Sequence, residues 1–213
     1  MNSFIVVPQT SSGLPLWQTA PLSVVGVAIA FGLLWGASKL AELPGELRIR
    51  RRVRQVEAAA GTAPPFNPQA VYAAATRVFR EVQEAWDKED RDRLGAVSDP
   101  DLMSDWVKRM DGYAATGTHY RVKIRGGPRL DYLGLRADRG QVRLRVRAKL
   151  HRYLETPKGK RRLPGDRGSF QEYWTFSWSG TDWVASSTRD VKRGHEYLHE
   201  QIVPRGATEV GGS

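Results

Sequence analysis

From Val142 to His151 the chain alternates without a break. Val142, Leu144, Val146, Ala148 and Leu150 fall on one side of an extended strand, and Arg143, Arg145, Arg147, Lys149 and His151 on the other. A period of two fits β structure, because successive side chains of a strand point to opposite faces. The apolar side needs a core, and the cationic side needs water or an anion, so the segment belongs to a sheet covered on one face. Tyr120 to Arg125 repeats the pattern, with Val122 and Ile124 between Arg121, Lys123 and Arg125, until Gly126-Gly127-Pro128 interrupts it. Leu130 to Ala137 reads as the next strand, closed by Asp138-Arg139-Gly140. After a loop (TPKGKRRLPGDRG) comes an aromatic strand from Phe170 to Trp178, turned by Ser179-Gly180-Thr181-Asp182 into a last strand beginning at Trp183.

Helices precede these strands. Asn67-Pro68 is a start signal, an N-cap oxygen followed by a proline tolerated at the first helical position. Val71, Ala75, Val78, Val82 and Ala85 then share one face, with Phe79 and Trp86 beside it, up to the charged run DKEDRDR. Asp99-Pro100-Asp101 opens a second helix, with a stripe of Leu102, Trp106, Val107, Met110 and Tyr113 and a stop at Gly117. Lys192 to Val203 reads as a short terminal helix. Helices first and antiparallel strands afterwards make an α+β domain.

Ahead of this domain, Leu22 to Leu40 has no charge until Lys39. As a helix it is about 28 Å long, enough to cross the hydrocarbon core of a bilayer. Met1 to Pro21 holds no Asp, Glu, Lys or Arg, whereas Arg48, Arg50, Arg51, Arg52 and Arg54 follow the apolar run. Basic residues stay on the cytoplasmic side, so the sequence predicts a single-pass plasma-membrane protein with its N-terminus outside. A signal peptide would carry its charge ahead of the apolar core and a small-x-small site behind it, and neither is present. Ala28, Gly32 and Gly36 form a small-xxx-small face through which two copies could pack. The expected organisation is 1–21 extracytoplasmic, 22–40 transmembrane, 41–65 basic juxtamembrane segment and linker, 66–203 domain and 204–213 tail. Within the juxtamembrane segment, Ile49, Val53 and Val56 suit either a helix lying on anionic lipid or a solvated connector.

Charge is concentrated where the strands are. Residues 119–162 hold 15 basic and 3 acidic side chains, hence +12, against +10 for the whole chain. Such asymmetry speaks of a partner. Arg121, Lys123, Arg125, Arg143, Arg145, Arg147 and Lys149, with Arg48, Arg50, Arg51, Arg52 and Arg54, are the candidate anion-binding residues. They point to anionic headgroups or to the phosphates of structured RNA. No aromatic residue interrupts either basic row, so base stacking on this face is not expected. The absence of cysteine excludes disulfides and thiol chemistry.

Several of these segments resemble the C-terminal domain of mitochondrial inner-membrane translocase subunit 44 and its bacterial relatives. The resemblance runs from Phe66 to Val203. It rests on Phe66-Asn67-Pro68, on Val82-Gln83-Glu84-Ala85-Trp86 before an acidic turn, and on Asp101-Leu102. It rests also on Glu172-Tyr173-Trp174-Thr175-Phe176, Trp183-Val184 and Gly194-His195. It implies a nuclear-transport-factor-2-like cone, with helices packed into the concave side of a curved antiparallel sheet. It also implies a membrane-proximal tether rather than a reaction. The mitochondrial member joins an import chaperone to a protein channel and touches anionic lipid, and ribosome-associated members exist. A protein partner is therefore expected, and an RNA or ribosomal one is the alternative.

Two constellations invite chemistry. Trp86, Trp106, Tyr173, Trp174 and Phe176 make either solid core or an apolar pocket for an acyl chain or peptide. Glu172, among these aromatics, or Asp131 could act as the cone carboxylate that some isomerases of the broader fold use; the plainer reading is a carboxylate paired with an arginine. His195-Glu196-Tyr197-Leu198-His199 spells H-E-x-x-H, which on a helix would bind zinc with Glu196 as base. Against it stand Glu200, the lack of an H-x-x-G-x-x-H extension, and Glu209 as the one carboxylate beyond the helix. The sequence thus predicts a non-catalytic adaptor, with no cofactor and no metal.

Overall fold

The structure, a computed structural model, describes residues 45–163, 169–190 and 194–206. The expected membrane helix, the N-terminal segment, Ala28, Gly32 and Gly36 lie outside the described residues, as do residues 207–213. Among the described residues no helix is long and apolar enough to cross a membrane. The chain divides into two units, Met1–Glu46 and Leu47–Ser213, and the sheet with its covering helices belongs to the second.

A helix over 45–60 (α1) leads into α2 (Pro68–Lys88), α3 (Arg91–Ala96) and α4 (Pro100–Ala114). Each of the last three begins on a side-chain cap. Asn67 Oδ1 accepts from the Ala70 amide at 2.7 Å, Asp90 from Arg93 at 3.0 Å, and Asp99 from Leu102 at 2.8 Å. Each cap satisfies a donor that the helix itself cannot, worth about 1 kcal/mol. Helix α2 stops at Glu89, which takes a left-handed conformation (φ 57°) and returns its amide to the last turn.

The strands β1 (His119–Arg136), β2 (Gln141–Thr156), β3 (Gly159–Arg162), β4 (Ser169–Trp178) and β5 (Trp183–Arg189) form one antiparallel sheet in the order β1-β2-β4-β5, with β3 a short hairpin arm on β2. The two alternating rows meet in the core as their periods require. Val71, Ala75, Val78, Val82 and Ala85 of α2 are buried in one cluster with Val142, Leu144, Val146, Ala148 and Leu150 of β2. Each valine or leucine among them contributes roughly 1.5–3 kcal/mol on burial, and each alanine less.

Three expectations need correction. Gly126-Gly127-Pro128 does not end a strand: β1 runs through it, with the register passing from Arg125↔Lys149 to Arg129↔Arg147 across an irregularity. Gly126 supplies the positive φ (85°) that this detour needs, and Pro128 sits where no ladder donor is required. The stretch read as a loop contains β3. The terminal helix shrinks to a 3-10 turn, Gly194–Leu198, after which Val203 bridges to Arg136.

That bridge closes one exposed sheet edge. Ala137 donates to Val203 O at 2.9 Å, and Val203 to Leu135 O at 2.8 Å. At the other edge, Asp99 donates to Ala185 O at 2.8 Å and Ala185 to Val97 O at 2.9 Å. Both edges are thereby blunted against strand addition. On the face of the sheet opposite the main core, Ile49 packs with Leu133, Tyr173 and Tyr197, flanked by Val53 and Leu198. Val56 enters the main core. The apolar stripe of α1 is thus spent on the domain, so α1 is neither a lipid-lying helix nor a free connector.

Candidate functional site

The cations of β1 and β2 divide into those with partners and those without. Arg145 is 1% exposed, and its Nε donates to Asp131 Oδ2 at 2.8 Å. Arg147 reaches the same carboxylate at 3.1 Å. Arg143 pairs with Glu200, and its guanidinium lies 5.0 Å from the Tyr197 ring centroid. Arg121 bridges Glu155 and Glu89, both at 3.1 Å, and donates to Asp87 O at 2.7 Å. The expectation of a uniformly outward row therefore departs from the structure at Arg145, whose burial is made tolerable by Asp131 one strand away. Asp131 in turn lies with these arginines and not in the cone.

Lys123, Arg125 and Lys149 remain exposed, without an acidic partner among the described residues, and Arg129 joins them. Arg125 faces Lys149 directly across the ladder, and Arg129 faces Arg147. Like charges in opposed positions destabilise a sheet unless something screens them. Arg129 was hidden from sequence reading by the Gly-Gly-Pro interruption; treating β1 as one strand brings it onto this face. On α1, Arg48, Arg50, Arg51 and Arg54 are exposed. Arg52 is different. Its Nε donates to Leu133 O at 2.7 Å and its Nη2 to Glu200 O at 2.6 Å, so it ties α1 to the sheet edge and the terminal segment. Partial burial lowers its pKa from the ordinary value.

On the other side of the sheet, α2 and α4 leave an open pocket of about 240 Å³. Trp86, Trp106 and Trp174 line it, as the sequence suggested; Tyr173 and Phe176 do not. Strand alternation sends Tyr173 to the opposite face, against Tyr197 (centroids 5.8 Å apart), while Phe176 stacks behind Trp174 at 5.8 Å. Tyr113, Tyr120 and Phe170 complete the aromatic wall.

Two charges break the apolar pattern here. Arg152 continues the core-facing row of β2, and Glu172 lies between Phe170 and Trp174 on the core-facing row of β4, opposite Val146. Glu172 Oε2 accepts from Trp174 Nε1 at 3.0 Å. Burial raises its pKa above the usual carboxylate value, against the opposing pull of the Trp174 hydrogen bond and of Arg152 and Arg109. Among the described residues no guanidinium lies within ion-pair distance of Glu172; Arg152 and Arg109 attract it through space. Arg152 lies over the Phe170 ring at 5.6 Å, and its buried Nε has no acceptor among the described residues.

The H-E-x-x-H segment lacks the geometry its motif needs. Residues 194–198 form a 3-10 turn and not the α-helix that the motif requires. Tyr197 is buried between Arg143 and Arg189, and Glu196 faces Arg189 at 3.3 Å. Among the described residues no three His, Cys, Asp or Glu side chains are grouped to hold a metal ion.

Residues 53–188 match the Tim44-like domain. The chain belongs to the Tim44-like family. The match starts within α1 and ends near the end of β5, so the Tim44-like region contains both the unpartnered cations and the pocket. The crystal structure of the intermembrane-space region of the chloroplast protein ARC6 is similar to 55% of this chain and 92% of its own, at 14% identity and a TM-score of 0.42. An uncharacterized cystatin-like-fold protein from Caulobacter vibrioides is similar to 59% of this chain and 94% of its own, at 10% identity and a TM-score of 0.37. At these scores neither likeness carries an argument about this Tim44-like chain. No curated protein matches the sequence.

Proposed function

We propose that this Tim44-like chain is a non-catalytic adaptor of the plasma membrane, serving protein translocation or membrane biogenesis. Residues 22–40 cross the bilayer with residues 1–21 outside. The cytoplasmic domain, beginning at α1, rests its basic sheet face on anionic headgroups and holds a protein partner there. The observation that supports this reading is the opposed like-charge pair Arg125↔Lys149, with Lys123 and Arg129 exposed beside it. A sheet keeps such pairs at a cost in stability, and an anionic surface removes the cost. Each cation brought near an anionic leaflet gains on the order of 1 kcal/mol. The exposed arginines of α1 extend the same surface toward the anchor in sequence.

The test uses the lack of native cysteine. Gln171, the β4 neighbour of Arg147 in the ladder, is replaced by cysteine in the full chain and labelled with an environment-sensitive dye. The protein is reconstituted into vesicles containing headgroup spin-labelled lipid. Quenching is expected in phosphatidylglycerol vesicles, not in phosphatidylcholine vesicles, and should disappear on Arg125→Glu with Lys149→Glu. Equal quenching in both lipids, or quenching indifferent to the double reversal, would reject membrane docking. Protection of the dye by ribosomes instead would favour the RNA alternative.

A further inference from the structure

We propose that the pocket between α2, α4 and the sheet is a binding site for a small aromatic carboxylate, with the ring held among Trp86, Trp106 and Trp174 and the acid group placed between Arg109 and Arg152. Three observations on the pocket carry this, none of them used by the membrane-facing reading.

The first is sign. The charged side chains of the lining are Arg109, Arg152 and Glu172. Whether Glu172 is ionised or neutral, the lining is net positive, so a monoanion is complemented and a cation is not. The second is an unmet donor. Arg152 lies over Phe170 and hydrogen-bonds Tyr120, yet its buried Nε has no acceptor among the described residues, and Arg109 is exposed at the rim with only a through-space attraction to Glu172. A buried donor without an acceptor is costly, and a carboxylate supplies acceptors in the geometry that guanidinium prefers. The third is shape. Six aromatic side chains surround a space of about 240 Å³. A dry cavity of about 150 Å³ admits benzene, so this one suits one or two fused rings and is too small for a whole phospholipid. Aromatic walls reward a flat ring through offset and edge contacts. Glu172 keeps one oxygen bound to Trp174, and a ligand donor would find its carboxyl at the same wall.

The test is calorimetric titration of the full chain in phosphatidylcholine nanodiscs, with empty nanodiscs as the blank. Three probes of like size and different charge are compared: naphthoate, naphthamide and naphthylmethylammonium. Naphthoate should bind about tenfold more tightly than the amide, the scale expected when charge-assisted hydrogen bonds are lost. The ammonium should bind more weakly still. Arg109→Gln, at the exposed rim where folding is not at stake, should weaken naphthoate several-fold and leave the amide unchanged. Equal affinity for acid and amide, tighter binding of the ammonium, insensitivity to Arg109→Gln, or no binding of any probe would overturn the assignment. Because vesicle quenching reports the other face of the sheet, failure here and failure of membrane docking are read separately.

Discussion

Asp131→Asn tests how a strand carrying so many cations stays folded. Asp131 reaches both Arg145 and Arg147, at 2.8 and 3.1 Å. Arg145 is nearly closed to solvent, with 2% of its side chain exposed against 18% for Asp131. Removing one partner of a buried pair strands the other charge and costs about 3–5 kcal/mol. Asp131 is partly open to water and asparagine retains an acceptor, which places this case at the low end, about 3 kcal/mol. That is a large share of the roughly 5–15 kcal/mol by which a domain is stable. At about 2–4 °C per kcal/mol for a domain of this size, the melt should fall by about 6–12 °C. The assay is near-ultraviolet circular dichroism of the full chain in mild detergent, where Trp106, Trp174 and Trp183, all buried, report the packing. Replacing the pair together, Asp131→Leu with Arg145→Met, should recover most of the loss, because it removes the stranded charge along with its partner. A melt for Asp131→Asn within about 2 °C of wild type, or a double variant no better than the single one, would refute the argument. The same substitution removes a negative charge from the basic face. Quenching by anionic vesicles should therefore strengthen while stability falls.

Two further outcomes concern buried polar groups elsewhere. Glu172 has a raised pKa in the folded state, so between its ordinary value near 4.5 and the higher folded value the native protein binds more protons than the unfolded chain. Stability is full below that window and is lost as pH rises through it; Glu172→Gln should remove this loss, and parallel pH-stability curves for the two proteins would contradict the sign. Arg52→Ala removes two hydrogen bonds that tie α1 to Leu133 O and Glu200 O, costing about 2 kcal/mol since water partly replaces them. Hydrogen exchange at Val203 and Ala137 should quicken by about tenfold or more while Ala185, on the far edge, is unchanged; uniform exchange would deny Arg52 this local role.

How much of this was legible depends on whether the signal was periodic. The stripes of α2 and β2 are long and regular, and their register in the core comes from periods of 3.6 and two. The caps at Asn67 and Asp99 are local chemistry and were readable for the same reason. What was missed is non-local. The detour at Gly126-Gly127-Pro128 looks like a turn in one dimension, and only pairing with β2 shows that the strand continues past it. The docking of α1 could not be read from Ile49, Val53 and Val56, because a short apolar stripe beside arginines suits lipid, solvent or protein equally. Among the aromatics, alternation alone would have removed Tyr173 from the pocket, since it is out of phase with Trp174. The segment after β5 reads as a helix over Lys192 to Val203, but its backbone is recruited by the β1 edge and its Tyr197 by two arginines.

The sheet breaks the hydrophobic pattern on both faces, and the partners decide what each break means. Arg145 on one face is enclosed, and Asp131 answers it; remove the acid and the fold suffers. Arg143 and Arg121 are answered likewise, by Glu200 and Tyr197 and by Glu89 and Glu155. These charges belong to the architecture, and substituting them says little about function. Arg125, Arg129 and Lys149 on the outer face have no acidic partner among the described residues, and inside, the buried Nε of Arg152 has no acceptor among them. Natural sequences tolerate local inconsistency chiefly where function requires it. The anion that would complete the first group is broad and external, as a leaflet is. The one that would complete the second must be small enough to pass between tryptophans. Charge reversal on the outer face should therefore leave ring-acid affinity unchanged, and Arg109→Gln should leave vesicle quenching unchanged. Loss of both properties from either substitution would mean that the two groups of cations serve one site.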